Sequence, residues 1–266
     1  MFTDQFGRKI ELTSQPKRII SLVPSQTELL YDLGLRDEVV GITNYCIHPD
    51  EWFQKITHVG GTKKLDFEKI KQLNPDLIIG NKEENDKGQI EQLMKHYKVW
   101  MSDIYNLQDA LNMIVQVGSL VGKQQEAVNL KLEIELQFRT ISYLTSNTKN
   151  PKTAYFIWRK PYIAVGSNTF INDMLTRCGF NNLFASDAST RYPQVNECLI
   201  AEKKPEIILL SSEPYPFKEA HIKVFQSICP DSKIFIVDGE FFSWYGSRLL
   251  QAPSYFEKII YSIQKL

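Results

Sequence analysis

The chain has 266 residues, 43% of them hydrophobic and 23% charged, the proportions of an ordinary globular protein and not of a disordered or collagenous one. Lys plus Arg equals Asp plus Glu at 31 each, so no net field draws it to nucleic acid or to an anionic membrane. No run approaches the roughly 20 apolar residues that span a bilayer, and the length is one at which single cores tend to divide.

The opening MFTDQFGRKIEL lacks the basic start and apolar stretch of a secretory signal. Two expectations follow: a periplasmic or exported protein whose signal has been removed, or a cytoplasmic one. After Pro16, RIISLV (Arg18 to Val23) reads as a buried strand. PSQTELLYDLGL follows as a helix, with Ser25 placed to cap it, Glu28 in capping-box spacing and Gly34 at its end. VVGIT (Val39 to Thr43) is a second strand. LDFEKIKQLNPDLIIG predicts a helix over Asp66 to Leu73, a turn at Asn74-Pro75 and a strand over Asp76 to Ile79. IEQLMKHY adds a helix and KVWM a strand. Near-continuous apolar strands alternating with helices are the mark of a parallel sheet covered on both faces.

Residues 107 to 144 break this rhythm. Leu111, Ile114, Val117, Val121, Val128, Leu132 and Leu136 recur near helical spacing. They predict one helix on the order of 50 Å long, with Gly118 and Gly122 as points of bending or close packing. The polar SNTKNPK (Ser146 to Lys152) ends it. The alternation then restarts with TAYFIW as a strand, TFINDMLTRCG as a helix ending at Gly179, and PEIILLS as a strand after another short helix. HIKVFQSI, KIFIVDG and YFEKIIYSIQ complete it as helix, strand and helix. NPDLIIGNKEEN in the first half is echoed by KPEIILLSSEPY in the second, as expected of paired lobes. The predicted fold is α/β: two three-layer α/β/α lobes (residues 1–106 and 145–266) with mainly parallel sheets. One long rigid helix (107–144) joins them, and a ligand cleft lies between.

Enzyme signatures are absent: there is no GxGxxG after the first strand, no GKS or GKT, no GxSxG and no HExxH. The chain reads as a binding protein without catalytic residues. Gly60-Gly61 in HVGGTKK is a turn or, with Lys63, an anion cradle. Cys46, Cys178, Cys198 and Cys229 are scattered without a CxxC pair, which supports no metal cluster and suits reduced packing residues. A Cys178–Cys229 or Cys178–Cys198 bridge suits only an exported molecule. His96 and His221 read as solvated. His48, in the strand-end loop NYCIHPDEW, is placed to touch a ligand or ligate its metal. Trp158, at the end of a strand, is a candidate ligand contact, with core packing as the alternative. The run EFFSWYGSR sets Phe241, Phe242, Trp244 and Tyr245 beside Glu240, Ser243 and Arg248. Its rings suit a bulky ligand and its polar groups that ligand's rim; a self-packed hydrophobic loop is the alternative.

SLVPSQTELLYDLGL, VVGITNYCIHP, VGGTKKLDFEKIKQLNPDLIIG and DGEFFSWYGSRLLQAP resemble, in that order along the chain, the cobalamin-binding branch of the periplasmic substrate-binding proteins that serve ABC importers. The resemblance implies a corrinoid (cobalamin or cobinamide) as bound ligand, held at Pro24, Ser25, His48, Asn81, Trp100 or Met101, and Glu240 to Arg248. His48 and Asn81 stand where the best-known corrinoid binder has a tyrosine and a tryptophan. It also implies acidic residues at each lobe tip that dock on the permease: Glu83, Glu84 and Asp86 in the first lobe, Glu213 and Glu219 in the second. Lys87 sits where the family's first docking acid falls. A monomer delivering its ligand to an ABC transporter permease is expected. A haem or ferric-siderophore binder of the same class and a cytoplasmic corrinoid carrier are the alternatives. A metal-cluster enzyme on a related two-lobed fold would need cysteines that converge.

Overall fold

The computed structural model describes residues 1–145, 150–186 and 190–264. The chain forms two units. The first comprises Met1–Ile104, Gln108–Ile134 and Tyr245–Arg248; the second comprises Tyr105–Leu107, Glu135–Trp244 and Leu249–Leu266.

The first unit opens with a hairpin of β1 (Phe2–Thr3) and β2 (Lys9–Ile10). Its main sheet is built from β3 (Ile19–Ser21), β4 (Val39–Ile42) and β5 (Thr57–His58), then, after a small hairpin of β6 (Gly60–Gly61) and β7 (Lys64–Leu65), β8 (Leu77–Asn81) and β9 (Val99–Ser102). The order is β5-β4-β3-β8-β9 and every pairing is parallel. The connections run through α1 (Pro24–Asp32), α2 (Asp50–Lys55), α3 (Phe67–Leu73) and α4 (Lys87–Met94). All residues of β3, β8 and β9 are buried, which is why these strands read as continuous apolar runs. On one face Ile20, Leu22, Ile78, Val99 and Met101 pack with Ile70, Ile90 and Leu93 from α3 and α4.

In the second unit β10 (Lys152–Trp158), β14 (Ile207–Ser211) and β15 (Lys233–Val237) are parallel neighbours. Beyond β10 lie β11 (Tyr162–Ala164) and β13 (Gln194–Val195), both antiparallel, while β12 (Asn181–Asn182) pairs with β10 in parallel. The helices are α7 (Phe170–Arg177), α8 (Glu197–Lys203), α9 (Glu219–Ile228), the single turn α10 (Glu240–Ser243) and α11 (Ala252–Gln264). The sheet is thus mixed: β10, β14 and β15 make its parallel side, with β15 at the edge. Phe156, Ile208, Leu210 and Phe225 form the heart of one core layer.

The sequence echo is structural. α3 and α8 have seven residues each, and side-chain caps from Asp66 and Asn196 accept the amides of Lys69 and Leu199. Both end at a left-handed residue, Asn74 (φ 42°) and Lys204 (φ 47°), immediately before a proline. Proline disfavours right-handed helix in the residue ahead of it, so the chain must turn there and enters β8 and β14 in the same way.

The single helix expected over residues 107–144 is two helices, α5 (Leu107–Leu120) and α6 (Gln124–Thr145). Gly122 takes φ +72°, and Lys123 N–H reaches back to the Gly118 carbonyl at 2.6 Å while Gly122 N–H bonds that of Ser119. That is a Schellman stop. A Cβ on Gly118 would lie 2.2 Å from the Ala127 Cβ, so close packing at this glycine fixes how α6 departs. The break also changes which face is buried: Ile134, Phe138 and Ile141 are inside, whereas Leu132 and Leu136 of the expected apolar stripe are exposed. α6, at 22 residues, is the long helix that carries the chain from one unit into the other. Residues 146–149 of the polar break lie outside the described residues.

Cys46, Cys178 and Cys229 are buried thiols, Cys198 is exposed, and no described cysteine is bridged. No helix among the described residues is long and apolar enough to cross a membrane.

Candidate ligand site

In an open parallel sheet, loops at the carboxyl ends of the strands diverge where the strand order reverses, and ligands bind in the crevice so made. In the first unit that point lies between β3 and β8, in the second between β10 and β14.

In the first unit, β3 leads directly into α1. Val23 is the N-cap and Pro24 opens the helix, where its missing N–H costs nothing. Ser25 is therefore inside the first turn and does not cap, which corrects the sequence reading, and it is buried. Glu28 has a different partner from the one expected. Arg248 donates to it through Nη2–Oε1 at 2.6 Å and Nε–Oε2 at 3.0 Å, with both side chains mostly buried. Burial raises the Glu28 carboxyl above its ordinary value despite the opposing guanidinium, and His48 is close enough to lower it slightly. Gly246 seats the same segment: a Cβ there would lie 2.5 Å from the Ser25 carbonyl oxygen. The stretch Tyr245–Arg248 is thus clamped against α1.

Asn81 ends β8 as a buried hub. Its amide nitrogen donates to the carbonyl and hydroxyl of Ser102, its oxygen accepts from Glu83 and Glu84 N–H, and its own N–H goes to Asn85 Oδ1. Gln26 of α1 donates to the same Ser102 hydroxyl at 2.6 Å. A ligand contact was expected at Asn81; both ends of its amide hold the loop after β8 instead. Trp100 is fully buried, and Met101 lies in the α4-side core, so these two serve packing. Lys63 donates to the Glu83 carbonyl, and Gly60-Gly61 is one strand of a small hairpin, with Gly60 at φ +98°.

In the second unit, β10 ends at Trp158, 39% exposed, whose ring meets Tyr215 edge-on at 5.7 Å. The Tyr215 hydroxyl bonds His221 Nε2 at 3.2 Å, and His221 Nδ1 accepts from Lys218 N–H. That second bond leaves Nε2 as the protonated nitrogen of the neutral ring. His221 is therefore engaged at the strand ends and not merely solvated.

The aromatic run after β15 proves to be mostly internal. Phe242 is fully buried against Tyr155 and Phe256, and Phe241 stacks on Tyr255 at 4.4 Å. Trp244 and Tyr245 are buried. The self-packed alternative describes these rings better than a ligand wall does. Ser243 hydroxyl and Trp244 Nε1 both donate to Glu213 Oε1, at 2.6 and 3.0 Å. Glu213 is thus turned into its own unit and is not a free acid at the tip. Asp86 likewise caps α4 through the amide of Gln89. Glu83 and Glu84 are half-buried and Glu219 is exposed in the first turn of α9.

Burial raises the Glu213 carboxyl above its ordinary 4.5; the Ser243 donor opposes this and the Glu240 carboxylate adds to it. A carboxyl raised in the folded state contributes its full stability below 4.5 and loses it as pH rises through the raised value. Glu213→Gln keeps an acceptor for both donors and removes the buried charge. Its melting temperature should exceed wild type by about 2–4 °C at pH 7, with the gap closing as the pH falls towards 4.5. Melting curves at the two pH values check this; a variant less stable at pH 7 would contradict it.

Pro24, His48, Trp158, Glu240, Phe241, Ser243 and Arg248 are the expected site residues that remain at least partly accessible at strand ends. Glu28 and Tyr215 are the partners that sequence reasoning missed. The first is paired with Arg248 across 220 residues, a separation that no local pattern reports.

Two α/β units linked through a long helix, with loops gathered at the strand ends of each, define a two-lobed substrate-binding protein. A family model described as periplasmic binding protein matches residues 19–227, and the chain belongs to that family. Its family is one of non-catalytic substrate-binding proteins, periplasmic or secreted. A vitamin B12-binding protein of Vibrio vulnificus (strain CMCP6) is 29% identical over 206 residues, 76% of this chain and 74% of that one. Among solved structures, the periplasmic vitamin B12 binding protein BtuF of Vibrio cholerae has a TM-score of 0.81 at 21% identity, covering 94% of this chain and 99% of that chain. The periplasmic heme-binding protein RhuT from Roseiflexus sp. RS-1 has a TM-score of 0.80 at 21% identity, covering 93% and 98%. The last two likenesses share the fold.

Proposed function

We propose that the chain captures a corrinoid and delivers it, as a monomer, to the permease of its importer. The similarity to a vitamin B12-binding protein across three quarters of the chain carries this reading. The exposed face of Trp158 and the adjacent Tyr215 support it, because flat rings bury a broad, semi-rigid macrocycle at little conformational cost. His48, Glu240, Arg248 and the first turn of α1 at Pro24 would face the ligand's polar periphery. Glu83, Glu84 and Glu219 are the acids proposed to meet the permease; such contacts steer and register the encounter more than they strengthen it.

Haem is the second reading, favoured by the half-buried imidazole of His48 in the loop after β4. The protein is mixed separately with cyanocobalamin, cobinamide and haemin, then passed through gel filtration while visible absorbance is recorded. The corrinoids should co-elute with protein at one per chain and haemin should not. Retention of haemin alone transfers the assignment to haem.

A further inference from the structure

On the first unit, β9, α4 and the N-terminal hairpin surround a cavity of about 410 Å³. Phe6, Ile90, Met94 and Met101 give it an apolar wall, and Arg8 and Lys82 stand at its rim. Both cations lie over the Phe6 ring, at 5.2 and 5.6 Å. Lys87 is also at the rim, where Glu91 pairs with it at 3.7 Å.

The counter-charges of the first two cations face inward. Asp4 holds Arg8 through Nε and Nη2, and Asp103 holds Lys82. The Asp4 side chain has no exposure and that of Asp103 only 14%, whereas Arg8 and Lys82 keep 40% and 44%. The surface offered to solvent is therefore cationic over an apolar floor. The remaining Arg8 terminus, Nη1, donates to the Met94 thioether sulfur at 2.8 Å. A thioether is a weak acceptor. A carboxylate oxygen arriving there would replace it with a charge-assisted hydrogen bond, and Lys82, also lining the cavity, carries a second charged donor.

We propose that this cavity binds a small amphiphilic anion, an aliphatic or aromatic body bearing one carboxylate, at a site separate from the cargo site. The volume lies within the range of small-molecule pockets, and an apolar wall with a few polar groups at one end is their usual lining. Flexible methionines let the wall adapt to different bodies.

Octanoate is the probe, with octanol as its uncharged counterpart, each titrated into the full chain by calorimetry. Octanoate should bind once per chain, and octanol about tenfold more weakly, because it cannot form the charged bond to Arg8. Met94→Trp, which fills the cavity, should abolish octanoate binding. Lys82→Gln should weaken it by about fivefold, with melting temperatures near wild type. Saturating cyanocobalamin should leave octanoate affinity unchanged. The proposal is overturned by no octanoate heat at millimolar concentration, by equal affinity for octanol, or by displacement with cyanocobalamin. Undiminished binding to a folded Met94→Trp chain also overturns it. If Met94→Trp fails to fold, undiminished binding to Lys82→Gln does so.

Discussion

Phe242→Ala is expected to destabilise the protein by about 3–5 kcal/mol, the usual cost of emptying an aromatic site in a packed core. Phe242 has no solvent exposure, and its ring lies 5.2 Å from that of Tyr155 and 4.8 Å from that of Phe256. These contacts join α10 and α11 to the central strand β10. Collapse into the space is hindered because Gly239 is pressed between Ser211 and Glu213, where even a Cβ would lie 2.3 Å from the Ser211 hydroxyl. The melting temperature should fall on the order of 10 °C. Binding measured well below the transition should be little changed. A variant that melts like wild type yet loses ligand affinity would return Phe242 to the pocket wall.

Trp158→Ala should do the reverse. The ring is 39% exposed and packs edge-on with Tyr215, so its loss opens little core. If it lies against a corrinoid, truncation removes a large flat contact and should cost about 1–3 kcal/mol of binding, roughly tenfold to a hundredfold in affinity. The melting temperature should move by no more than a few degrees. Titration of both variants beside their melting curves separates a ligand contact from a core residue, since the two substitutions are expected to move opposite readouts.

The sheets were the most legible part of the sequence. The RIISLV, DLII and PEIILLS runs announce strands covered on both faces because no alternation of polar residues is needed there. The turn at Asn74-Pro75 was equally clear, since proline acts on its immediate neighbour. The helix break at Gly122 was harder to see. Its glycine is the expected stop residue, but the apolar spacing runs through the break from Val117 to Val128 and imitates a single face.

The site was read less well, for a physical reason. Phe242 is a ring beside polar residues in sequence, and nothing local distinguishes a ring that faces a ligand from one enclosed by Tyr155 and Phe256. Glu213 shows the same difficulty. It stands in an acidic, exposed-looking segment, yet Ser243 and Trp244, 30 and 31 residues later, draw it inward. Ser25 and Glu28 match a capping box in spacing, but the N-cap is Val23, two residues earlier, which frees Glu28 for Arg248, 220 residues away. Spacing reports local geometry, whereas these side chains are assigned by partners distant in the chain.

The central claim, that the cargo is a corrinoid, is tested most directly by calorimetric titration of cyanocobalamin into the folded chain. The account predicts a saturable heat with one site per chain and a dissociation constant of about micromolar or tighter. No heat and no spectral change at micromolar concentrations, from protein with an intact melting transition, would contradict it.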